Sequence, residues 1–290
     1  MIQITNLTQF HELNKEDYDK VTYLILDNLK EIPIDMWSLT NLTTLKIRYC
    51  LPTVSESIGN LINLTELDLS NHYFTALPDG ICNLMNLTKL LLKHNRLVKL
   101  PENIGNLTNL TALDLWRNDL TELPDSFCNI TNLIQLDLQN NKLTTLPDSF
   151  GSLTNLMRLH LNCNKLTYIP KGIFKLKNLD ELLLENNQLI EIPDDICHLT
   201  NLKWLNLQDN KLKKTSHYIK NIKTVNIYVN SYDIDNLSNE CTYLQLYYLG
   251  MPLTNLSPSI EEIRLYQAQL IDIRLPYGCK LYIDDILQFL

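Results

Sequence analysis

Glycine is scarce, with seven residues in a chain of 290, and none of them cluster. A loop that cradles phosphate needs grouped glycines, so nucleotide chemistry of that kind is excluded. Long hydrophobic runs are missing too. Apolar residues are interrupted every two or three positions, too often for a membrane-spanning helix. Met1 is followed by neither a basic nor an apolar stretch, which speaks against a secretory leader. Positive charge is in deficit: 25 Lys and Arg stand against 33 Asp and Glu, for a formal net charge of −8. The basic residues are scattered, whereas a nucleic-acid surface needs a coherent positive stripe. No cysteine or histidine spacing fits a zinc site, and neither a metal nor a cofactor is expected.

What the chain has is one sentence written repeatedly. Leucines open blocks at Leu64, Leu87, Leu110, Leu133, Leu156, Leu179 and Leu202, at intervals of 23 residues. Within each block the second and third leucines fall three and five positions on, as in Leu110, Leu113 and Leu115. Alternate side chains of a strand point to opposite sides, so the last two share one face of a short extended segment. No block can bury its leucines alone. Neighbouring strands must therefore stack in parallel around a shared core. An Asn follows at Asn95, Asn118, Asn141, Asn164, Asn187 and Asn210, where its amide can satisfy backbone groups at the turn. His72 takes this place in one block, and Cys50 is expected to do so in the shortened block before it. Prolines at Pro78, Pro101, Pro124, Pro147, Pro170 and Pro193 recur on the return path, where a missing donor and a fixed φ do no harm.

These blocks resemble the leucine-rich repeat family. The tail of each, for example Leu123-Pro124 with Phe127, Ile130 and Asn132, is similar to the Ras-group and scribble-like repeats, which are mainly intracellular scaffolds and adaptors. The resemblance implies an α/β repeat solenoid: a curved horseshoe with one parallel sheet of about 13 strands on the concave face and short helical or irregular convex segments. Worn units extend the pattern on both sides, opening at Val21 and Leu42 and again at Ile222, Cys241, Ile260 and about Gly278. Their strand cores are read as Val225/Ile227, Leu244/Leu246, Ile263/Leu265 and Leu281/Ile283. The expected layout is an N-terminal cap over 1–20, regular repeats over 21–221, and shorter repeats with a C-terminal cap over 222–290. A seam is expected near Lys213 to Asn221, where the Leu-Pro signature lapses. Ile2 and Ile4 should form a strand, with Phe10, Leu13 and Tyr18 on a short helix. The run from Asp284 to Leu290 should start a helix that covers the last strand.

Seven cysteines are an odd number, and Cys82, Cys128 and Cys197 share one slot in blocks two or three apart. At roughly 4.8 Å per block they lie beyond bridging distance, so a reduced, cytoplasmic chain is expected. If the source is a virus or a bacterial effector, that means the host cytoplasm. Asn-Leu-Thr triplets such as Asn86-Leu87-Thr88 match the glycosylation acceptor pattern. They fall at the block junction by construction and are read as consensus residues.

The outward strand positions carry the candidates for function. Trp116, Arg117, Arg158, His160 and Trp204 occupy neighbouring blocks together with Gln135, Asp137, Glu181 and Glu185. Trp and Arg are common binding anchors, although a lone Trp leaning over a sheet is the bland alternative. Tyr228, Tyr247 and Tyr266 are expected in one column, with Tyr243 and Tyr248 near. Such tyrosines suit a binding surface or a stabilising strand ladder. Catalysis is disfavoured: His160 and Cys163 share a block, but nothing in the sequence orients the histidine. Asp68, Asp114 and Asp137 form a column in which solvated acids are more usual than a cation site. The reading is a non-catalytic, monomeric module for a protein partner on the concave face, with no nucleic acid or membrane involved. The alternatives are a structural protein that self-associates through the apolar C-terminal segment or the tyrosine-bearing end, or a substrate-recruiting adaptor or effector of a pathogen or virus.

Overall fold

The computed structural model describes residues 2–4, 6–27, 32–48, 51–212, 226–230, 243–247, 258, 260–266 and 274–288. For 7, 27, 226–230, 243–247, 286 and 287 it describes the backbone alone. The chain divides into two compact units, Met1–Leu156 and Met157–Leu290.

In the first unit the strands are β1 (Ile2–Ile4), β2 (Val21–Asp27), β3 (Thr44–Arg48), β4 (Glu66–Asp68), β5 (Lys89–Leu91), β6 (Ala112–Asp114) and β7 (Gln135–Asp137). Each pairs in parallel with the next. Leu110, Leu113 and Leu115 are all buried, as are the matching leucines of the other blocks. Filling one such leucine position contributes roughly 1.5–3 kcal/mol relative to leaving it exposed. The helix α1 (Leu7–His11) begins where the Asn6 side chain accepts from the Gln9 N–H at 2.9 Å. Phe10 is buried and stacks on Tyr18.

In the second unit the strands are β8 (Arg158–His160), β9 (Glu181–Leu183), β10 (Trp204–Asn206), β11 (Asn226–Asn230), β12 (Tyr243–Tyr247), β13 (Glu262–Tyr266), β14 (Lys280–Ile283) and β15 (Ile286–Gln288). Pairing is parallel from β8 to β14. Strand β15 then turns back antiparallel to β14. The expected C-terminal helix is therefore a hairpin. Asp284 and Asp285 both take positive φ, 46° and 65°, the left-handed pair that a two-residue hairpin turn requires. The described residues thus hold fifteen strands rather than 13, because β1 and β15 add to the repeat strands.

The return path is built from 3₁₀ turns, such as Asp79–Asn83, Asp125–Asn129 and Asp194–His198. Proline precedes these three at φ between −67° and −71°, and its carbonyl accepts the first turn bond, as from the Phe127 N–H at 2.9 Å. Cys82 and Cys128 are buried in these turns, and burial, with Asp79 and Glu56 nearby, pushes the Cys82 thiol up to about 11.

Two ladders tie successive blocks. In the first, the Asn141 carbonyl accepts from the Leu120 N–H, and its amide donates to the carbonyls of Leu115 and Leu138, each at 3.0 Å. Asn95, Asn118, Asn187 and Asn210 repeat the pattern. In the second, the block-opening asparagines donate one block back: Asn63 to Thr40, Asn86 to Ile62, Asn109 to Met85 and Asn132 to Thr108, all at 2.9 Å. Thr65, Thr88 and Thr111 bond the preceding block beside them. The Asn-Leu-Thr triplets are this second ladder. Cys50 and the Lys213–Asn221 seam lie outside the described residues. No helix among the described residues is long and apolar enough to cross a membrane.

Candidate functional site

In the first unit the register sorts the outward residues into lines. Glu66, Lys89, Ala112 and Gln135 face one another along β4–β7, and so do Asp68, Leu91, Asp114 and Asp137. Backbone bonds carry the alignment past the strand ends: Asn71 N–H to the Lys93 carbonyl, His94 to Trp116, and Arg117 to Gln139, at 2.8–2.9 Å. Ser70, Lys93, Trp116 and Gln139 therefore make a further line. Asn71, His94, Arg117 and Asn140 follow it, all with positive φ between 55° and 63°.

The acidic column is committed to the backbone. Asp68, Asp114 and Asp137 each accept an N–H two residues on, from Ser70, Trp116 and Gln139, at 2.9–3.0 Å. Burial holds the Asp114 carboxyl above its usual range, with Asp137 and Asp68 adding to the shift while the Trp116 N–H and Lys93 oppose it. Burial also works to raise Glu66, but bonds and charge from Lys46 at 3.1 Å and Lys89 at 3.4 Å win and hold it below the ordinary range. Among the described residues no group of three or more His, Cys, Asp or Glu could hold a metal ion.

Trp116 is half-buried and Arg117 exposed. The His94 ring stands edge-on to the Trp116 indole at 4.4 Å and 76°. Sequence reasoning missed this contact. Its signal was the slot itself, in which Asn71, His94, Asn140, Asn186 and Asp209 take the left-handed backbone that suits Asn, Asp and His, while Arg117 and Cys163 do not belong to that class.

In the second unit Arg158, His160 and Trp204 come together around Glu181. Arg158 Nε lies 3.7 Å and His160 Nε2 3.3 Å from the Glu181 carboxylate. Trp204 pairs in register with Glu181 and is 45% exposed. Glu185 accepts from the Asn206 amide. Burial, with Glu185 and Asp209, raises the Cys163 thiol, the opposite of what a nucleophilic thiolate needs.

The tyrosine column does not form as expected. Tyr247 pairs with Tyr266, but Tyr228 faces Asn206 and Gln245, two residues out of line. The register of β11 shifts likewise, since Ile227 and Val229 pair with Leu244 and Leu246 in place of Val225 and Ile227. A two-residue slip keeps the same face inward. The apolar residues at 225, 227 and 229 therefore left two registers equally consistent with the pattern. Tyr266 bonds Asp285 through its hydroxyl, and that bond, with burial, raises its pKa. Arg264 bonds the same carboxylate at 3.1 Å and lies over the Tyr282 ring at 4.9 Å. Val225, Cys241 and Tyr248 lie outside the described residues.

Comparison with known proteins agrees with this architecture. The leucine-rich repeat region family matches residues 80–165 and 113–256, and a single leucine-rich repeat matches 63–84. No curated protein matches the chain. Among solved structures, a leucine-rich repeat protein of Leptospira interrogans is 30% identical, with a TM-score of 0.80 over 93% of this chain and 74% of that one. Internalin C2 of Listeria monocytogenes is 25% identical, with a TM-score of 0.59 over 67% of this chain and 83% of that one. The ectodomain of the Arabidopsis thaliana receptor kinase GASSHO1/SCHENGEN3 shares the fold at 24% identity and a TM-score of 0.71, over 91% of this chain and 35% of that one. With the matched repeats covering more than half of its length, the chain belongs to the leucine-rich repeat family.

Proposed function

We propose that this chain is a non-catalytic recognition module that holds a protein partner against the sheet face of its repeats. The family is in general one of protein-interaction modules, and this reading narrows that statement to a face and to residues. The observation that carries it is Trp204, which lies 45% exposed beside Glu181 where that carboxylate meets Arg158 and His160. A large ring at an outward strand position does nothing for the leucine core. Next to a charged pair it has the composition of a binding hot spot, in which Trp and Arg dominate. Short parallel strands held by two hydrogen-bond ladders present such groups with little ordering cost on binding. Trp116 and Arg117 in the first unit are anchors of the same kind, and Tyr247 with Tyr266 supplies a further pair in register.

Mixed charge with aromatic anchors suits a folded protein better than a nucleic acid. A reducing, cytoplasmic setting belongs to the same proposal, and the free thiols of Cys82, Cys128, Cys163, Cys197 and Cys279 support it. The test is capture of partners from a lysate of the source cell, comparing the wild type with the Trp116→Ala/Arg158→Ala/Trp204→Ala chain. At least one abundant partner should be retained by the wild type and lost by the variant, with both chains folded by circular dichroism. Identical capture would refute the assignment.

A further inference from the structure

We propose that Trp204 and Glu181 receive an arginine side chain of the partner, its guanidinium plane laid on the indole and its N–H groups turned to the carboxylate. This rests on the protein-binding reading above and names the chemical group that fills its site on the second unit. Glu181 and Trp204 are register partners on β9 and β10, and adjacent strands sit roughly 4.8 Å apart. A cation within about 6 Å of an indole centroid is attracted by the negative face of the ring. One guanidinium therefore reaches both groups at once.

Rings and carboxylates elsewhere in the chain show what this pair lacks. Arg96 lies over the Tyr73 ring at 4.9 Å, and Arg264 over the Tyr282 ring at the same distance. Indole is the strongest acceptor of a cation among the aromatic side chains, and Trp204 is exposed. Among the described residues no cation lies over it. The same contrast holds for the carboxylate. Glu66 on the first unit holds Lys46 on one flanking strand at 3.1 Å and Lys89 on the other at 3.4 Å. Glu181 meets Arg158 and His160 from β8 alone. The Arg158 Nε stands at 3.7 Å, beyond hydrogen-bond range. On the β10 flank, where a second cation would stand, the chain places Trp204.

Arginine fits this place better than lysine. Its planar fork stacks on an aromatic face and bonds a carboxylate through two N–H groups together, whereas an ammonium is a compact, strongly hydrated point charge. A carboxylate has about four acceptor sites, and a guanidinium over Trp204 meets those that β8 leaves open. The surroundings favour a cation as well. Within three residues of β9 and β10 stand Asp180, Glu185 and Asp209, against Lys203 alone. The net charge of −8 on the whole chain draws a basic segment towards it.

The experiment is a proton–nitrogen NMR titration of the isotopically labelled full chain, which follows the indole N–H signals of its three tryptophans. Trp204→Phe assigns the Trp204 signal by its loss. The probes are the capped tripeptides Ser-Arg-Ser and Ser-Lys-Ser, and a third with citrulline, which has the shape of arginine without its charge. The arginine peptide should move the Trp204 signal and saturate, the lysine peptide should bind more weakly, and the citrulline peptide should not bind. Glu181→Gln should weaken the arginine peptide about threefold or more. Glu102→Gln, exposed beside Pro101 in the first unit, removes the same charge and should leave binding unchanged. A Trp204 signal that ignores the arginine peptide overturns the proposal. Equal binding of the lysine or citrulline peptide overturns it too, as does an equal loss in Glu181→Gln and Glu102→Gln. Partner capture separates the two claims. A partner lost with the triple variant, from a chain whose Trp204 ignores the arginine peptide, sinks the arginine site and leaves the protein-binding reading standing.

Discussion

At the scale of the residue, one substitution in the buried ladder gives the protein a titratable joint. The consensus Asn both accepts and donates, and His72 must do the same with two ring nitrogens. The Leu51 N–H donates to Nδ1 at 3.1 Å, so Nδ1 is bare, and Nε2 carries the proton and donates to the Ile47 carbonyl at 3.0 Å. A second proton on Nδ1 would face the Leu51 N–H. Burial lowers the His72 pKa, against the opposing pull of the Ile47 carbonyl and Asp68. The sign follows from linkage: in the window between the lowered folded pKa and the ordinary value near 6.5, the unfolded chain binds more protons. The contribution of neutral His72 is therefore fully present above that ordinary value and is lost as pH falls towards the folded pKa. Urea midpoints of the wild type should drop between about pH 7.5 and about pH 5.5. His72→Asn should flatten that drop, because asparagine restores the ladder without a titrating group. An unchanged slope in the variant would place the pH dependence elsewhere.

At the scale of the element, the strands were legible and the joints were not. The L-x-x-L-x-L spacing fixed strand position and inward face from Leu64 to Leu207, because a one-residue error would expose every leucine. It failed in β11, where three alternating apolar residues admitted two registers, and at Asp284-Asp285, where acidic residues that can cap a helix instead turned a hairpin. The candidate site was legible as residue types on strands. Its pairings were not, because the His94–Trp116 contact and the Glu181 cluster depend on backbone twist and side-chain direction that spacing does not encode. Close packing of the return turns was invisible as well. A Cβ on Gly105 would stand 2.0 Å from the Ser126 carbonyl oxygen, while one on Gly278 would meet nothing within 4 Å and would suffer only from φ of +80°. Gly105→Ala should therefore cost about 1–3 kcal/mol through forced movement of the turn. Gly278→Ala should cost about 1 kcal/mol from backbone strain. Equal losses in chemical denaturation would show that the turns yield freely and that the contact is soft.

At the scale of the whole molecule, a stack of parallel strands has an edge wherever it stops, and an unpaired edge invites another chain. Strand β15 covers the edge of β14 through the pairs Leu281–Gln288, Tyr282–Leu287 and Ile283–Ile286. Asp285 in the intervening turn is bonded by both Arg264 and Tyr266 of β13, which ties the hairpin to the strand beyond its neighbour. The C-terminal segment is thus engaged within its own unit, which weighs against its use as a dimer contact. Light scattering across a range of concentrations tests this, using the full chain and a version ending at Asp284. The full chain should keep the mass of one copy. The shortened chain loses β15 and Asp285 and should gain mass as concentration rises, because β14 is then open to pairing. A full-length dimer that truncation dissolves would reverse this argument, since the tail would then be the contact and not the cover.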